Sequence, residues 1–123
     1  MKKRILLVDD NEDMLMLCSR ELKKAGYDVI TASNAKKGLE TFERQKNEIA
    51  AVILDVHMPD MDGRILLGKI RELDRNMLVV LYSNYGYTDM LTGWGVPKDT
   101  PYIIKGNEHE LVDIIRNAQQ KKE

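Results

Sequence analysis

Val52-Ile53-Leu54-Asp55-Val56-His57-Met58-Pro59-Asp60-Met61-Asp62-Gly63 is the stretch from which the rest of the chain can be read. An apolar run from Ala50 to Leu54 suits a strand buried on both faces. It delivers one carboxylate, Asp55, and Pro59 stops it within a few residues. Burying an ion costs several kcal/mol unless it is paired, hydrogen-bonded or bound to a metal. A carboxylate at the end of a buried strand therefore points to a site.

Upstream, Ile5 to Val8 reads as a short buried strand followed by the polar run Asp9-Asp10-Asn11-Glu12-Asp13. Met14, Cys18, Leu22 and Ala25 then fall at helical spacing, the acids sit where a helix N-terminus favours negative charge, and Gly26 suits the exit. Asp28 to Ala32 reads as a second strand. Ser33 or Asn34 caps a helix whose core stripe is Ala35, Leu39 and Phe42, ending near Asn47. Downstream, Leu66, Ile70 and Leu73 give a third helix, and Leu78 to Tyr82 a fourth strand. Gly86, Gly93, Gly95, Pro97 and Pro101 punctuate the next segment, leaving about two helical turns around Thr88 to Thr92. Tyr102 to Ile104 is a fifth strand ending in Lys105-Gly106. Asn107 and Glu110 stand at capping-box spacing before a last helix carrying Leu111, Ile114, Ile115 and Ala118.

At 123 residues, the chain is long enough for one hydrophobic core without disulfides, and residues 1–123 are expected to form a single domain. Acids and bases nearly cancel, 20 against 19, so net charge argues neither for nucleic acid nor for an anionic membrane surface. The lone Cys18 lies on an apolar helical face and reads as a core residue in a reducing compartment. The apolar run after Lys2-Lys3-Arg4 is far too short for a signal peptide or a membrane span. A cytoplasmic protein is expected.

Short apolar strands alternating with amphipathic helices imply right-handed crossovers and a parallel sheet covered on both faces. Ligands of such sheets bind beyond the carboxyl ends of the strands, where strand order reverses. Four of the five ends carry site chemistry: Asp9-Asp10, Asp55, Ser83 and Lys105. Three converging carboxylates repel one another without a cation, and hard oxygen ligands in a small loop site suit Mg²⁺. Mg²⁺ usually keeps several waters and binds through one or two carboxylates plus a phosphate oxygen, so such a site is poised for a phosphoryl group. A hydroxyl on Ser83 and an ammonium on Lys105 would clamp a phosphoryl group, with Asp55 as the in-line nucleophile forming an aspartyl phosphate. Singly, each of these residues is better explained as a cap or a solvated charge; jointly they are not.

With the acidic pair Asp9-Asp10, the Asp55 to Gly63 stretch, Ser83, Tyr102 and Lys105 in view, the chain resembles a response-regulator receiver domain from end to end. The resemblance implies a flavodoxin-like doubly wound α/β fold with strand order 2-1-3-4-5, and a short or irregular fourth helix is expected here. It implies Mg²⁺-dependent transfer of a phosphoryl group to Asp55 from a histidine kinase or phosphotransfer protein. Asp10 and Asp55 would ligate the metal, Asp9 mostly through water, and the backbone carbonyl of His57 would be a further ligand. Ser83 would move toward the phosphoryl oxygen, Lys105 would pair with it, and Tyr102 would be the switch aromatic. No direct nucleic-acid or membrane contact is implied.

Three departures stand out. Asn84 replaces the small residue that usually follows Ser or Thr, and Gly106 replaces the Pro that usually follows the Lys. The fourth helix is interrupted around Trp94. A trans Lys105-Gly106 bond is expected, with Gly supplying unusual dihedrals. Tyr85, two positions beyond Ser83, is expected to shield the phosphoryl group from water; the imidazole of His57 is given no catalytic role.

A stand-alone receiver that signals through a partner protein is the leading reading, alongside a piece of a larger regulator, since Gln119 to Glu123 resembles a linker start. An aspartate-nucleophile phosphohydrolase needs a second acid two residues after the nucleophile. Asp55 has His57 there, so a turnover enzyme is not expected. A docking module that has lost phosphorylation ranks lower, because all five site residues are present.

Overall fold

The computed structural model describes residues 3–83 and 100–122. In chain order these form β1 (Arg4–Val8), α1 (Glu12–Lys24), β2 (Asp28–Ala32), α2 (Ala35–Gln45), β3 (Ile49–Asp55), α3 (Gly63–Leu73), β4 (Leu78–Ser83), β5 (Tyr102–Ile104) and α4 (Glu110–Lys122). The five strands make one parallel sheet in the order β2-β1-β3-β4-β5. The helix expected around Thr88 to Thr92 lies outside the described residues, as do Asn84, Tyr85 and Trp94.

Alternation along the strands separates two cores. Leu6 and Val8, Val52 and Leu54, and Val79 and Leu81 pack on one face with Phe42 of α2 and Leu66, Leu67 and Ile70 of α3. Ile5 and Leu7, Ala51 and Ile53, and Val80 and Tyr82 pack on the other with Leu15, Cys18 and Leu22 of α1 and Leu111 and Ile115 of α4. Strands of a doubly wound sheet are apolar on both sides for this reason.

Some boundaries shift. β3 begins at Ile49 and includes Asp55, which pairs with Tyr82 of β4, so the carboxylate is the last residue of the strand and not its sequel. The buried stripe of α1 is Leu15, Cys18 and Leu22; Met14 is half-buried and Ala25 follows the helix. In α3 Leu67 is buried while Leu73, expected inside, is 38 % exposed. Asn34 caps α2 through Lys37 N–H. Asn107 stands too early to cap α4 by its side chain. Instead its carbonyl oxygen accepts from Glu110 N–H at 2.9 Å.

The connection from β1 passes outward to β2, whereas β3 continues toward β4 and β5. Strand order therefore reverses between β1 and β3, and their carboxyl ends carry Asp9 and Asp55.

Candidate functional site

β1 and β3 run in register from Ile5 opposite Ala51 to Val8 opposite Leu54, which brings Asp9 and Asp55 side by side beyond the last rung. By alternation both point to the α1 and α4 face. Asp9 is buried, with Asp9 N–H bonded to the Ala32 carbonyl. Its Oδ1 accepts from Asn11 N–H, and Asn11 in turn caps α1 through Asp13 and Met14 N–H. Asn11, and not the acidic pair, thus caps the helix, leaving Asp10 exposed at the mouth. Ligand oxygens of Asp9, Asp10 and Asp55 lie within 4.8 Å of one another.

Asp55 is 3 % exposed, and His57 N–H donates to its Oδ1 at 3.2 Å. The His57 side chain points to solvent while its backbone forms a bridge with Asp62. Asp62 caps α3 and clasps Arg64. Gly63 explains why the loop must end in glycine: a Cβ there would overlap the Asp55 carbonyl oxygen and crowd Val56 Cα. The start of α3 is thus pressed directly against the end of β3.

Lys105 comes from the far side. Its N–H donates to the Ser83 carbonyl at 2.7 Å, extending the β4–β5 ladder, and Gly106 turns the chain with φ +109°. No peptide bond is cis among the described residues, as expected for Lys105-Gly106. The ammonium lies 3.2 Å from Asp9 Oδ2 and 3.4 Å from Asp55 Oδ1. Ser83 is buried at the end of β4, and alternation directs its side chain to the face opposite Lys105. Tyr102 is half-buried and packs against the α2 and α3 core.

Burial pushes the Asp55 carboxyl up, the charge of Asp9 pushes it further, and Lys105 and the His57 N–H only partly oppose them, leaving it at about 7. Burial acts to lower the Lys105 ammonium, but the two carboxylates outweigh it and hold it above its usual value. Three carboxylates against one ammonium leave a net negative cluster of hard oxygen donors. That donor set fits a divalent cation of the Mg²⁺ class.

Sequence reasoning missed three residues near this site. Asp60 bonds Ala35 N–H and Lys36 N–H of α2 at 3.1 Å each, across 25 and 24 residues, which no local signal announces. The Tyr82 hydroxyl donates to Glu108 Oε1 at 2.5 Å inside the α1 and α4 core. That pair had a signal, since a Tyr in an aliphatic strand needs a partner for its hydroxyl.

Comparison with known proteins agrees with this geometry. Residues 5–116 match the family model of the response regulator receiver domain. The "Two-component response regulator ORR26" of Oryza sativa subsp. japonica is 32 % identical over 120 residues, covering 98 % of this chain but 18 % of that protein. The "Sporulation initiation phosphotransferase F" of Bacillus subtilis (strain 168) is 31 % identical over 91 residues, 74 % of this chain and 72 % of that protein. The chain thus spans about a fifth of the plant regulator and most of the bacterial phosphotransferase. Among solved structures, a receiver domain protein from Clostridium thermocellum superposes with TM-score 0.84 at 30 % identity, covering 97 % of this chain and 95 % of that one. The response regulator TrrA from Thermotoga maritima, solved in complex with Mg²⁺ and BeF, gives TM-score 0.80 at 32 % identity over 96 % and 99 % of the two chains. On sequence and fold together, this chain belongs to the response regulator receiver domain family.

Proposed function

We propose that the chain is the phosphoacceptor of a two-component relay, with Asp55 receiving a phosphoryl group from the phosphohistidine of a histidine kinase or phosphotransfer protein. The observation that carries this is the convergence of Asp9, Asp10 and Asp55 with the Lys105 ammonium at the switch point of the sheet. In the transfer an Asp55 carboxylate oxygen forms the new bond to phosphorus as the bond to the donor imidazole nitrogen breaks. The electron pair stays on that nitrogen, which takes a proton from solvent. Lys105 stands where it can follow charge from the carboxylate to a phosphoryl oxygen. Asp9, Asp10, Asp55 and the His57 carbonyl would hold Mg²⁺, which when bound neutralises the approaching phosphoryl oxygens.

Ser83 and Tyr102 belong to this proposal as the clamp hydroxyl and the switch aromatic, supported by their places at the end of β4 and in β5. The outcome is a change in affinity for a partner protein, not turnover of a substrate. A cytoplasmic setting fits a buried lone cysteine and described helices that are not long and apolar enough to cross a membrane. The test is incubation with Mg²⁺ and acetyl phosphate followed by intact mass. A single phosphoryl adduct is expected, absent without Mg²⁺ and absent in Asp55→Asn; an unmodified wild-type chain would sink the proposal.

A further inference from the structure

The ammonium at the site is carried on a turn that has little rigidity of its own. Gly106 follows Lys105 directly, and at φ +109° it uses the backbone freedom of glycine. What holds the turn is a buried side-chain pair. Glu108 Oε1 accepts from Gly106 N–H at 3.0 Å and, with the same oxygen, from the Tyr82 hydroxyl at 2.5 Å. Glu108 is 9 % exposed and Tyr82 2 %. The Tyr82 ring also lies under the ammonium, with Lys105 Nζ 5.4 Å from its centroid. Tyr82 itself is fixed beside the phosphoacceptor: it is the β4 partner of Asp55, and its carbonyl accepts from Val56 N–H at 3.2 Å.

One side chain therefore connects β4, the strand paired with the nucleophile's, to the turn that carries the cation. A glutamate with this little exposure is disfavoured unless its oxygens are satisfied. Here the two donors are the residue beside Asp55 and the residue after Lys105.

We propose that Tyr82 and Glu108 are positioning residues for Lys105: together they hold the Lys105-Gly106 turn so that the ammonium stays over the Asp55 carboxylate. This rests on the phosphoacceptor reading given above. Tyr82→Phe keeps the ring and the packing but removes the donor. Glu108→Ala removes the shared acceptor, and Glu108→Gln keeps a neutral acceptor for both donors. Misplacing a catalytic group by a fraction of its reach slows such reactions by about ten-fold or more.

The test measures Mg²⁺-dependent phosphorylation by acetyl phosphate in each variant, alone and combined with Lys105→Ala, together with amide hydrogen exchange at Gly106. Tyr82→Phe and Glu108→Ala are expected to slow phosphorylation about ten-fold and to speed Gly106 exchange, with Glu108→Gln close to wild type in both. In the Lys105→Ala background Tyr82→Phe should make no further difference, because the group it positions is gone. An equal slowing in both backgrounds, or wild-type rates in Tyr82→Phe, would overturn the inference while leaving the phosphoacceptor reading intact. Absence of any Asp55 adduct in the wild-type protein would overturn both. Gly106 exchange reads the turn without any phosphodonor, so an unfolded Glu108→Ala still leaves Tyr82→Phe decisive.

Discussion

Asp55 and Gly63 sit at the two ends of the loop that leaves β3, and each was legible to a different degree. That Asp55 belongs to a site followed from its place after an apolar run, because a buried strand has no structural use for an unpaired carboxylate. That Gly63 is required did not follow, since the reason is a through-space approach of α3 to the Asp55 carbonyl. Gly63→Ala is expected to lose about 1–3 kcal/mol in urea unfolding, as overpacked positions do, and to slow phosphorylation of Asp55. A variant with unchanged midpoint and rate would show that α3 can retreat freely from β3. The N–H of His57 that donates to Asp55 Oδ1 is invisible in the sequence, because only the turn geometry brings the two together.

Among the elements, α2 shows most clearly where periodicity stops being informative. A cap at Ser33 or Asn34 and Phe42 as a core residue were readable; Asn34 is the cap, and Phe42 is buried. The second anchor, Asp60, comes from the loop on the far side of β3 and satisfies the two N–H groups that Asn34 does not. Burial acts to raise the Asp60 carboxyl, but the backbone N–H groups together outweigh it and hold it below the usual range. Asp60→Ala is expected to destabilise the fold by about 1 kcal/mol, the scale of a lost helix cap, measured at pH 7 by denaturant unfolding. Because the folded carboxyl titrates lower than the unfolded one, that contribution is present above pH about 4 and fades as pH falls. A difference between wild type and variant that grew on acidification would contradict it. At the other end of the chain, the box expected at Asn107 and Glu110 failed because Glu108 turns inward to Tyr82 and Gly106 instead of starting the helix.

For the molecule as a whole, the cluster of acids sets a pH dependence opposite to that of most carboxylate-stabilised proteins. Unfolded Asp55 loses its proton near pH about 4, whereas folded Asp55 keeps it to about 7. Between these values the folded chain binds more protons, so metal-free stability should fall as pH rises from about 4 to about 7. Urea midpoints in a chelator would show this fall, with Asp55→Asn removing most of it. Mg²⁺ competes with that proton, so its apparent affinity should climb across the same interval. A flat profile would mean that the three carboxylates share their charge without cost. The sheet order and its reversal point followed from the alternation of strands and helices together with the receiver resemblance. The pairing of Tyr82 with Glu108 did not, because it joins residues 26 apart through an interior that no local pattern describes.

The same interior holds Cys18, 2 % exposed, with a thiol that burial pushes up to about 11 even though a contact with Tyr82 opposes the rise. As the lone cysteine of the sequence, and one kept protonated, it is inert to alkylating reagents while α1 and α4 stay closed over the sheet. Its labelling rate is therefore a clock for opening of that layer. It lies against Tyr82, the β4 partner of Asp55, and it requires no added probe.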